Sequence, residues 1–396
     1  MNSLLISGFG TSISVDKRKL SIANRLENTL LEFYPHQIPY DSIIIDGHSG
    51  NITFDAVRWL TKHDVSITML NWNGQLLATL LPKEPVLGKL KVKQYEKYLD
   101  KAERYKIAKA ILTEKINKAY ELLIGLSNHY TEIDRAEVDK AFSNLKAKYE
   151  GSPELLTYEG NIAIFSWSEL RKIFNKLYPS FNFTDRNGRR HSWNTNASDE
   201  INALLNYAYA IVEAEVRKDI TSIGLDTTIS FLHELDDGRA SLVYDLQELY
   251  RWIADLSVLQ LLEEKRLRKA DFIVTENYHI RLREVTAKAL VDKIKLNFNA
   301  RALYNNRYCS FQNILYENVR LLANYISGKS STLKFNIPKM EMKREDNIDL
   351  RAKLLSITPE ERRKLGINKS TLWYAQNNIK AGKKIKVYNK IMEKLK

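Results

Sequence analysis

Asp245 and Glu248 lie three residues apart in a segment with helical periodicity, so their carboxylates fall on one helical face. The positions around them are apolar: Leu242, Val243, Leu246 and Leu249. Carboxylates beside an apolar surface are costly unless a cation or a hydrogen-bond donor offsets them. His233 precedes this helix on a segment that can fold back onto the same face. Two carboxylates and one imidazole suit Mn²⁺ or Mg²⁺, and they leave coordination positions open for phosphate oxygens and water.

The same residues have plainer interpretations. A histidine at the end of an apolar run is often a hydrogen-bonded core residue, and an acidic pair on a helix is often a solvated face. Arg251, three residues after Glu248, can also pair with that carboxylate. Spacing alone therefore leaves a metal site and a structural charge cluster both open.

A further carboxylate, Glu159, lies within another helical pattern and is followed directly by Gly160. Glycine inside a helix costs up to ~1 kcal/mol relative to alanine, so it usually has a structural reason. We expect that reason to be the close approach of another backbone segment.

The periodicity of the chain predicts an α+β fold with a small β-rich part and a larger helical part. Residues 1–85 contain short alternating runs that predict strands, one helix near 52–63 that Asn51 or Thr53 can cap, and an Asn73-Gly74 hairpin turn. Helical periodicity dominates residues 90–328, over about 90–127, 133–148, 152–177, 199–220, 240–265 and 311–328. A polar linker near Gly328 then leads to a third domain, residues 331–396.

Composition restricts the class of protein. The net charge is +13, and residues 331–396 hold 17 Lys and Arg against 7 Asp and Glu, which indicates a polyanionic partner such as DNA. The single cysteine excludes an internal disulfide framework and suits a reducing compartment. No apolar run is long enough for a membrane span, and no signal peptide is evident. We expect a cytoplasmic protein that needs no membrane.

Two segments are candidates for contact with nucleic acid. The basic C-terminal segment predicts a helix-turn-helix, in which Thr358 and Glu361 form a capping box and a second helix presents Lys369, Thr371 and Tyr374 to a major groove. A small helical pair used only for packing is the alternative. A second basic segment contains Arg186, Arg189 and Arg190, which either clamp phosphates or form an ordinary exposed loop.

In combination, three stretches resemble the signature of the CRISPR-associated integrase family, the catalytic subunit of spacer acquisition. They are the Glu159-Gly160 helix, the Gly224-Leu225-Asp226 to Leu232-His233 segment, and the Leu242-Val243-Tyr244-Asp245-Leu246 helix with Glu248 and Arg251. The flanks add to the likeness, which covers roughly residues 1–328. Thr227, Ser230 and Leu249 depart from the family's usual Pro, Gly and Pro, which affects loop geometry but no acidic or histidine position.

The resemblance implies that Glu159, His233 and Glu248 bind Mg²⁺ or Mn²⁺, and that Asp245 supports catalysis beside the metal, where it holds a water or a second cation. It implies an integrase and endonuclease that acts on double-stranded and branched DNA. The N-terminal β-rich domain would form a homodimer, and a small second CRISPR adaptation protein would be a partner.

Spacer acquisition is the first expectation. Transposition is the second, because casposases, the transposon-encoded relatives of this family, also carry a C-terminal extension. A non-catalytic DNA-binding scaffold, in which these acids are structural, remains the alternative from a different class.

Overall fold

The computed structural model describes residues 2–7, 9–47, 49–71, 74–82, 87–149, 154–186, 197–235, 239–264, 267–275, 279–340 and 357–380. The chain divides into two compact units, Met1–Met340 and Glu341–Lys396. The β-rich and helical parts expected as separate domains therefore belong to one unit. The boundary before the C-terminal unit lies later than the predicted residue 331.

The N-terminal part contains two four-stranded sheets and one helix. The first sheet has the order β1 (Ser3–Ser7), β5 (Ser42–Asp46), β7 (Ser66–Leu70) and β8 (Leu76–Leu80). Its first three strands are parallel, and β8 is antiparallel to β7. The second sheet has the order β4 (Thr29–Phe33), β3 (Lys19–Asn24), β2 (Thr11–Asp16) and β6 (Asn51–Ile52). Helix α1 (Phe54–Lys62) packs with both sheets around a core that includes Leu20, Ile43, Ala56 and Leu60.

Local signals in the sequence explain two features of this part. Thr53 caps α1, because its side chain accepts a hydrogen bond from Ala56 N. Asn73 of the predicted hairpin turn lies outside the described residues, but Gly74 has a φ of +80°, and a Cβ there would lie 2.9 Å from the Tyr207 ring. Only glycine combines that backbone conformation with such a close contact.

The helical part is built around α6 (Glu200–Ile223), a mostly buried helix that contacts four others. Those four are α7 (Ser241–Gln247), α8 (Arg251–Glu264), α9 (Glu284–Asn299) and α10 (Phe311–Ile326). A second group comprises α2 (Gly88–Leu99), α3 (Lys101–Ser127), α4 (Arg135–Tyr149) and α5 (Leu155–Leu177). The predicted helix 90–127 is divided because Asp100 accepts hydrogen bonds from Ala102 N and Glu103 N and so caps a new helix.

Several elements were not predicted. Strands β9 (Phe272–Val274) and β10 (Ile280–Leu282) form one hairpin, and β11 (Arg301–Tyr304) and β12 (Arg307–Ser310) form another. The second has Asn305 and Asn306 at positive φ in its turn. Helix α9 was also missed, although its bounds and buried face are regular.

The segment predicted as a linker belongs to the first unit up to Met340. Phe335 and Ile337 are buried, and Ile337 N donates to Glu114 Oε1 at 2.8 Å. Within the second unit, α11 (Pro359–Lys364) and α12 (Lys369–Lys380) are described. Thr358 and Glu361 form the expected capping box. Among the described helices, none has the length and apolar character needed to cross a membrane.

Candidate active site

Two carboxylates from different helices converge on one ammonium group. Glu159 lies in the first turns of α5, and Glu248 lies at the end of α7. Lys115 of α3 forms a short ion pair with Glu159 Oε1, and its Nζ lies 2.6 Å from Glu248 Oε2. Glu159 and Glu248, which are 89 positions apart in the chain, therefore share one cation.

Glu248 is almost completely buried and is held by two positive side chains. Arg251 Nη1 lies 2.8 Å from Glu248 Oε1, so the pair expected from the spacing of three is present. Burial alone would raise the pKa of Glu248, but the charges of Arg251 and Lys115 outweigh it and lower the pKa to about 2. Glu248 is therefore an ionised carboxylate in an apolar environment.

Arg251 is itself fixed by aromatic and acidic neighbours. Its guanidinium lies 4.4 Å from the centroid of the Tyr209 ring, and the Tyr209 hydroxyl donates to Asp255 Oδ1. Burial raises the pKa of Asp255 to about 6, although Tyr209 and the nearby arginines counteract it. This network places Arg251 behind Glu248 with little freedom to move.

Arg186 contacts the other side of this network. Its guanidinium lies 5.1 Å from the centroid of the Tyr209 ring and donates to Asn202 and Asn206. Burial lowers the pKa of Arg186. These contacts hold its guanidinium against α6, and its contact with DNA phosphates stays a prediction.

A single buried carboxylate organises the loop that carries His233. Asp245 Oδ2 accepts from Phe231 N at 2.6 Å and Leu232 N at 3.0 Å, and Oδ1 accepts from His233 N at 3.0 Å. Oδ1 also lies 2.7 Å from His233 Nδ1. An ionised carboxylate only accepts, so Nδ1 carries the proton, and Nε2 is the atom able to bind a metal ion. Both oxygens of Asp245 thus accept hydrogen bonds from the His233 loop, and the expectation that Asp245 holds a water or a second cation stays a prediction.

Helices α2 and α3 hold the other side of the same loop. Gln94, which is fully buried, donates to Asp226 O at 2.9 Å and Ile229 O at 3.0 Å and accepts from Asp226 N at 2.8 Å. Arg104 Nε donates to Phe231 O at 3.2 Å. The His233 loop is therefore held by hydrogen bonds to its backbone from both sides.

The side chains that could serve as metal ligands fit a divalent cation in part. Two ionised carboxylates meet at one positive charge, and Glu248 Oε2, although in ionic contact with Lys115, has no aligned hydrogen-bond donor. The His233 side chain is 40% exposed, and its Nε2 is the ring nitrogen that does not pair with Asp245. However, no three His, Cys, Asp or Glu side chains among the described residues are close enough to enclose a metal ion. The three-ligand set of Glu159, His233 and Glu248 therefore remains a prediction.

Comparison with known proteins identifies the family. The family model for "CRISPR associated protein Cas1" matches residues 4–295. The chain belongs to the Cas1 family. Among curated members, this Cas1-family protein is 25% identical to the CRISPR-associated endonuclease Cas1 1 of Archaeoglobus fulgidus, over 82% of this chain and 96% of that protein. It is also 25% identical to the CRISPR-associated endonuclease Cas1 1 of Francisella tularensis subsp. novicida, over 83% of this chain and 97% of that protein.

Solved structures extend the comparison. A casposase bound to its integration product is 37% identical to this Cas1-family protein, with a TM-score of 0.77, over 90% of this chain and 99% of that chain. A Cas1 protein from Thermotoga maritima has a TM-score of 0.64 at 18% identity, over 85% of this chain and 99% of that chain, and shows the shared fold. The predicted family and the predicted order of a β-rich part and a helical part are confirmed.

Three further predictions concern other positions of the chain. A Cβ on Gly160 would meet no described atom within 4 Å, so the expected close approach of another backbone is wrong. Arg189 and Arg190 lie outside the described residues. Lys369 and Tyr374 are exposed on α12 and Thr371 is partly exposed, as a recognition helix requires, and their contact with DNA stays a prediction.

Sequence analysis missed three residues of this Cas1-family site: Lys115, Gln94 and Arg104. All three lie on α2 or α3, more than 40 positions from the acids and the histidine in the sequence. Lysine, glutamine and arginine are ordinary residues on amphipathic helices, so their types carried no signal. In the structure, Gln94 differs from an ordinary helical residue in its complete burial, and Lys115 differs in its position between two carboxylates.

Proposed function

We propose that this Cas1-family protein is a divalent-metal-dependent DNA integrase that joins a DNA 3′-hydroxyl to a phosphodiester of target DNA. The observation that carries the proposal is the convergence of Glu159 and Glu248 on one cation position. The ordered imidazole of His233 adds a nitrogen donor of the kind that Mn²⁺ accepts. Glu159, His233 and Glu248 would hold the ion.

The chemistry requires the attack of a hydroxyl oxygen on phosphorus. The new bond joins the incoming 3′ oxygen to phosphorus, the bond to the leaving 3′ oxygen of the target strand breaks, and the proton passes from the attacking to the leaving oxygen through solvent. When bound, the divalent ion supplies Lewis acidity to the scissile phosphate. No covalent enzyme intermediate is needed, and water as the nucleophile makes the same site a nuclease.

The protein side chains prepare this site. Arg251 keeps Glu248 ionised inside an apolar environment. Asp245 holds the His233 imidazole in the tautomer that leaves Nε2 unprotonated. Gln94 and Arg104 hold the backbone of the His233 loop. Each of these residues acts through a proposed ligand of the ion.

We infer transposon-type integration ahead of spacer acquisition, which reverses the order expected from sequence. The casposase match covers 90% of this chain, more than the first unit, Met1–Met340, can supply alone, at 37% identity. The matches to the two Cas1 endonucleases cover 82% and 83% at 25% identity. In this proposal, α11 and α12 of the second unit recognise the ends of the mobile DNA through Lys369, Thr371 and Tyr374. Spacer acquisition, with a small second adaptation protein, is the other candidate, supported by the Cas1 endonucleases.

The test is strand transfer of a labelled 3′-hydroxyl duplex into plasmid DNA with Mn²⁺, Mg²⁺ or EDTA. Wild-type protein should join the two DNAs only with a divalent ion, and Glu159→Gln and His233→Ala should each reduce joining by about 100-fold or more. Glu96→Gln, an exposed acid on α2, is the matched control and should keep wild-type activity. Joining in EDTA, or full joining by Glu159→Gln, contradicts the proposal. DNA binding without joining by the wild-type protein supports the scaffold alternative.

The homodimer and the cytoplasmic location stay predictions. Light scattering of the purified protein at several concentrations measures its mass, and a mass near 46.0 kDa at all of them contradicts the homodimer.

A further inference from the structure

The charges around the two carboxylates are already balanced without a metal ion. Glu159 and Glu248 carry two negative charges, and their ion-pair partners among the described residues are Lys115 and Arg251. A divalent ion added beside both partners would make four positive charges against two negative ones. In a largely buried site such repulsion is poorly screened. One of the two positive side chains must therefore leave when an ion binds.

The two candidates differ in their freedom to move. Arg251 is fixed by Tyr209 and by its hydrogen bond to Glu248 Oε1. Lys115 lies at the end of a flexible four-carbon stem. Among the described residues, its ion pairs are with these two carboxylates alone. Lys115 is therefore the group that can leave more easily than Arg251.

The position of the ammonium also matches that of an ion. Lys115 Nζ lies between one oxygen of each carboxylate and 2.6 Å from Glu248 Oε2. Divalent ions bind carboxylate oxygens at about 2.0–2.6 Å. The ammonium and a bridging ion would need the same two oxygens and the same space.

We propose that Lys115 is an internal cation that holds Glu159 and Glu248 together in the ion-free protein, and that a divalent ion binds this site only by displacing it. The proposal rests on the proposed function, because it concerns the same carboxylates. Two consequences follow. Lys115 stabilises the fold without metal, and it weakens the affinity for metal by competition.

The experiment compares full-length wild-type protein with Lys115→Met, a substitution that keeps most of the stem and removes the charge. Mn²⁺ affinity is measured by calorimetry at fixed pH and ionic strength, and thermal unfolding is measured in EDTA and in Mn²⁺. Lys115→Met should bind Mn²⁺ about tenfold more tightly or better. It should also unfold at a lower temperature than wild type in EDTA, with the difference reduced or reversed in Mn²⁺.

Three further variants make the result specific. Lys106→Met removes an exposed lysine of the same helix, which pairs with Glu103, and should leave Mn²⁺ affinity unchanged. Lys115→Arg retains the charge and should stay near wild-type affinity. Glu159→Gln in the Lys115→Met background should abolish the tight binding, which shows that the ion occupies this site. If Lys115→Met does not fold, Lys115→Gln takes its place.

The outcomes separate this inference from the proposed function. Equal or weaker Mn²⁺ affinity in Lys115→Met, with binding by the wild-type protein intact, overturns the displacement idea and leaves the metal chemistry standing. Mn²⁺ binding by neither protein overturns both. Tighter binding confined to Lys115→Met and dependent on Glu159 supports both.

Discussion

The carboxylate pair and the His233 loop are the two parts of the proposed site, and they are held by different forces. Glu159 and Glu248 lie on helices and are fixed by the charges of Lys115 and Arg251. His233 lies on a loop whose backbone is fixed by hydrogen bonds, to Asp245 on one side and to Gln94 and Arg104 on the other. Substitutions that change charge should therefore perturb the carboxylate pair, and substitutions that remove a hydrogen-bond donor or acceptor should perturb the His233 loop.

This difference suits the chemistry that each part is proposed to do. Two helix-borne carboxylates can exchange one positive partner for another without backbone movement. An imidazole must keep its tautomer and direction, which requires a rigid loop and a partner for Nδ1. In this proposal, the site combines a carboxylate pair that exchanges its cation with a nitrogen donor that is held in place.

Asp245→Asn is expected to have the largest effect on stability and joining, because Asp245 accepts the backbone hydrogen bonds that order the His233 loop. An amide keeps one acceptor oxygen but turns its own N–H groups toward backbone donors. Since breaking a buried charged network costs about 3–5 kcal/mol, the free energy of unfolding should fall by about that amount. Strand transfer should fall about 100-fold. Urea unfolding and the joining assay measure the two effects.

Asp226→Asn is the matched control, because Asp226 lies in the same loop and its side chain accepts from Thr228 and Tyr95 near the surface. It should change the free energy of unfolding by less than about 1 kcal/mol. Equal losses of joining in the two variants would show that Asp245 has no special part in holding His233.

Arg251→Met should have the next largest effect and acts on the carboxylate pair. It leaves Glu248 buried with Lys115 as its remaining ion-pair partner, and we expect a loss of about 3 kcal/mol in the free energy of unfolding. Arg251→Lys restores the charge without the planar contact with Tyr209, so it should recover part of this loss. Urea unfolding measures both. If the two variants are equally unstable, packing on Tyr209 rather than charge fixes this part of the site.

Gln94→Met tests the far side of the His233 loop. The substitution retains length but removes three hydrogen bonds, and it leaves the carbonyls of Asp226 and Ile229 without that donor. Stability should fall by about 2 kcal/mol. Joining should fall about tenfold through a lower kcat, because the loop loses its geometry while the DNA contacts are unchanged. The Gln94→Glu side chain can accept from Asp226 N but cannot donate to the carbonyls of Asp226 and Ile229. Wild-type stability and joining in this variant would show that the two donated hydrogen bonds do not hold the loop.

The site shows which parts of such a structure a sequence can predict. Asp245 and Glu248 were singled out because carboxylates on an apolar helical face conflict with burial, and that conflict is visible in one segment. Glu159 was singled out by the glycine that follows it and by the family resemblance. The pair between Glu248 and Arg251 followed from their spacing of three. Lys115, Gln94 and Arg104 were missed because their roles depend on which helices lie side by side. No local pattern encodes that arrangement.

The errors about the backbone have other causes. The break at Asp100 has a local cause, a capping side chain, and was missed because helical periodicity continues through it. Residues 331–340 were assigned to the C-terminal domain, yet they belong to the first unit, where Phe335 and Ile337 are buried and Glu114 accepts from Ile337 N. The polar residues near Gly328 suggested a boundary, but the contacts of Phe335 and Ile337 with the first unit lie beyond it and leave no local signal.

Gly160→Ala should have the smallest effect on stability. It is informative because it should raise the free energy of unfolding while it lowers DNA joining. Gly160 lies within α5 directly after Glu159, and an added Cβ would meet no described atom within 4 Å. Alanine should therefore stabilise the helix by about 0.5–1 kcal/mol, since nothing opposes its better propensity. Because protein packing does not require the glycine, we expect the open space beside Glu159 to admit the DNA backbone, so joining should fall several-fold while stability rises. Ser166→Ala, further along α5, is the control for general changes in the helix. Unchanged joining by a stabilised Gly160→Ala protein would show that DNA does not approach Glu159 from this side.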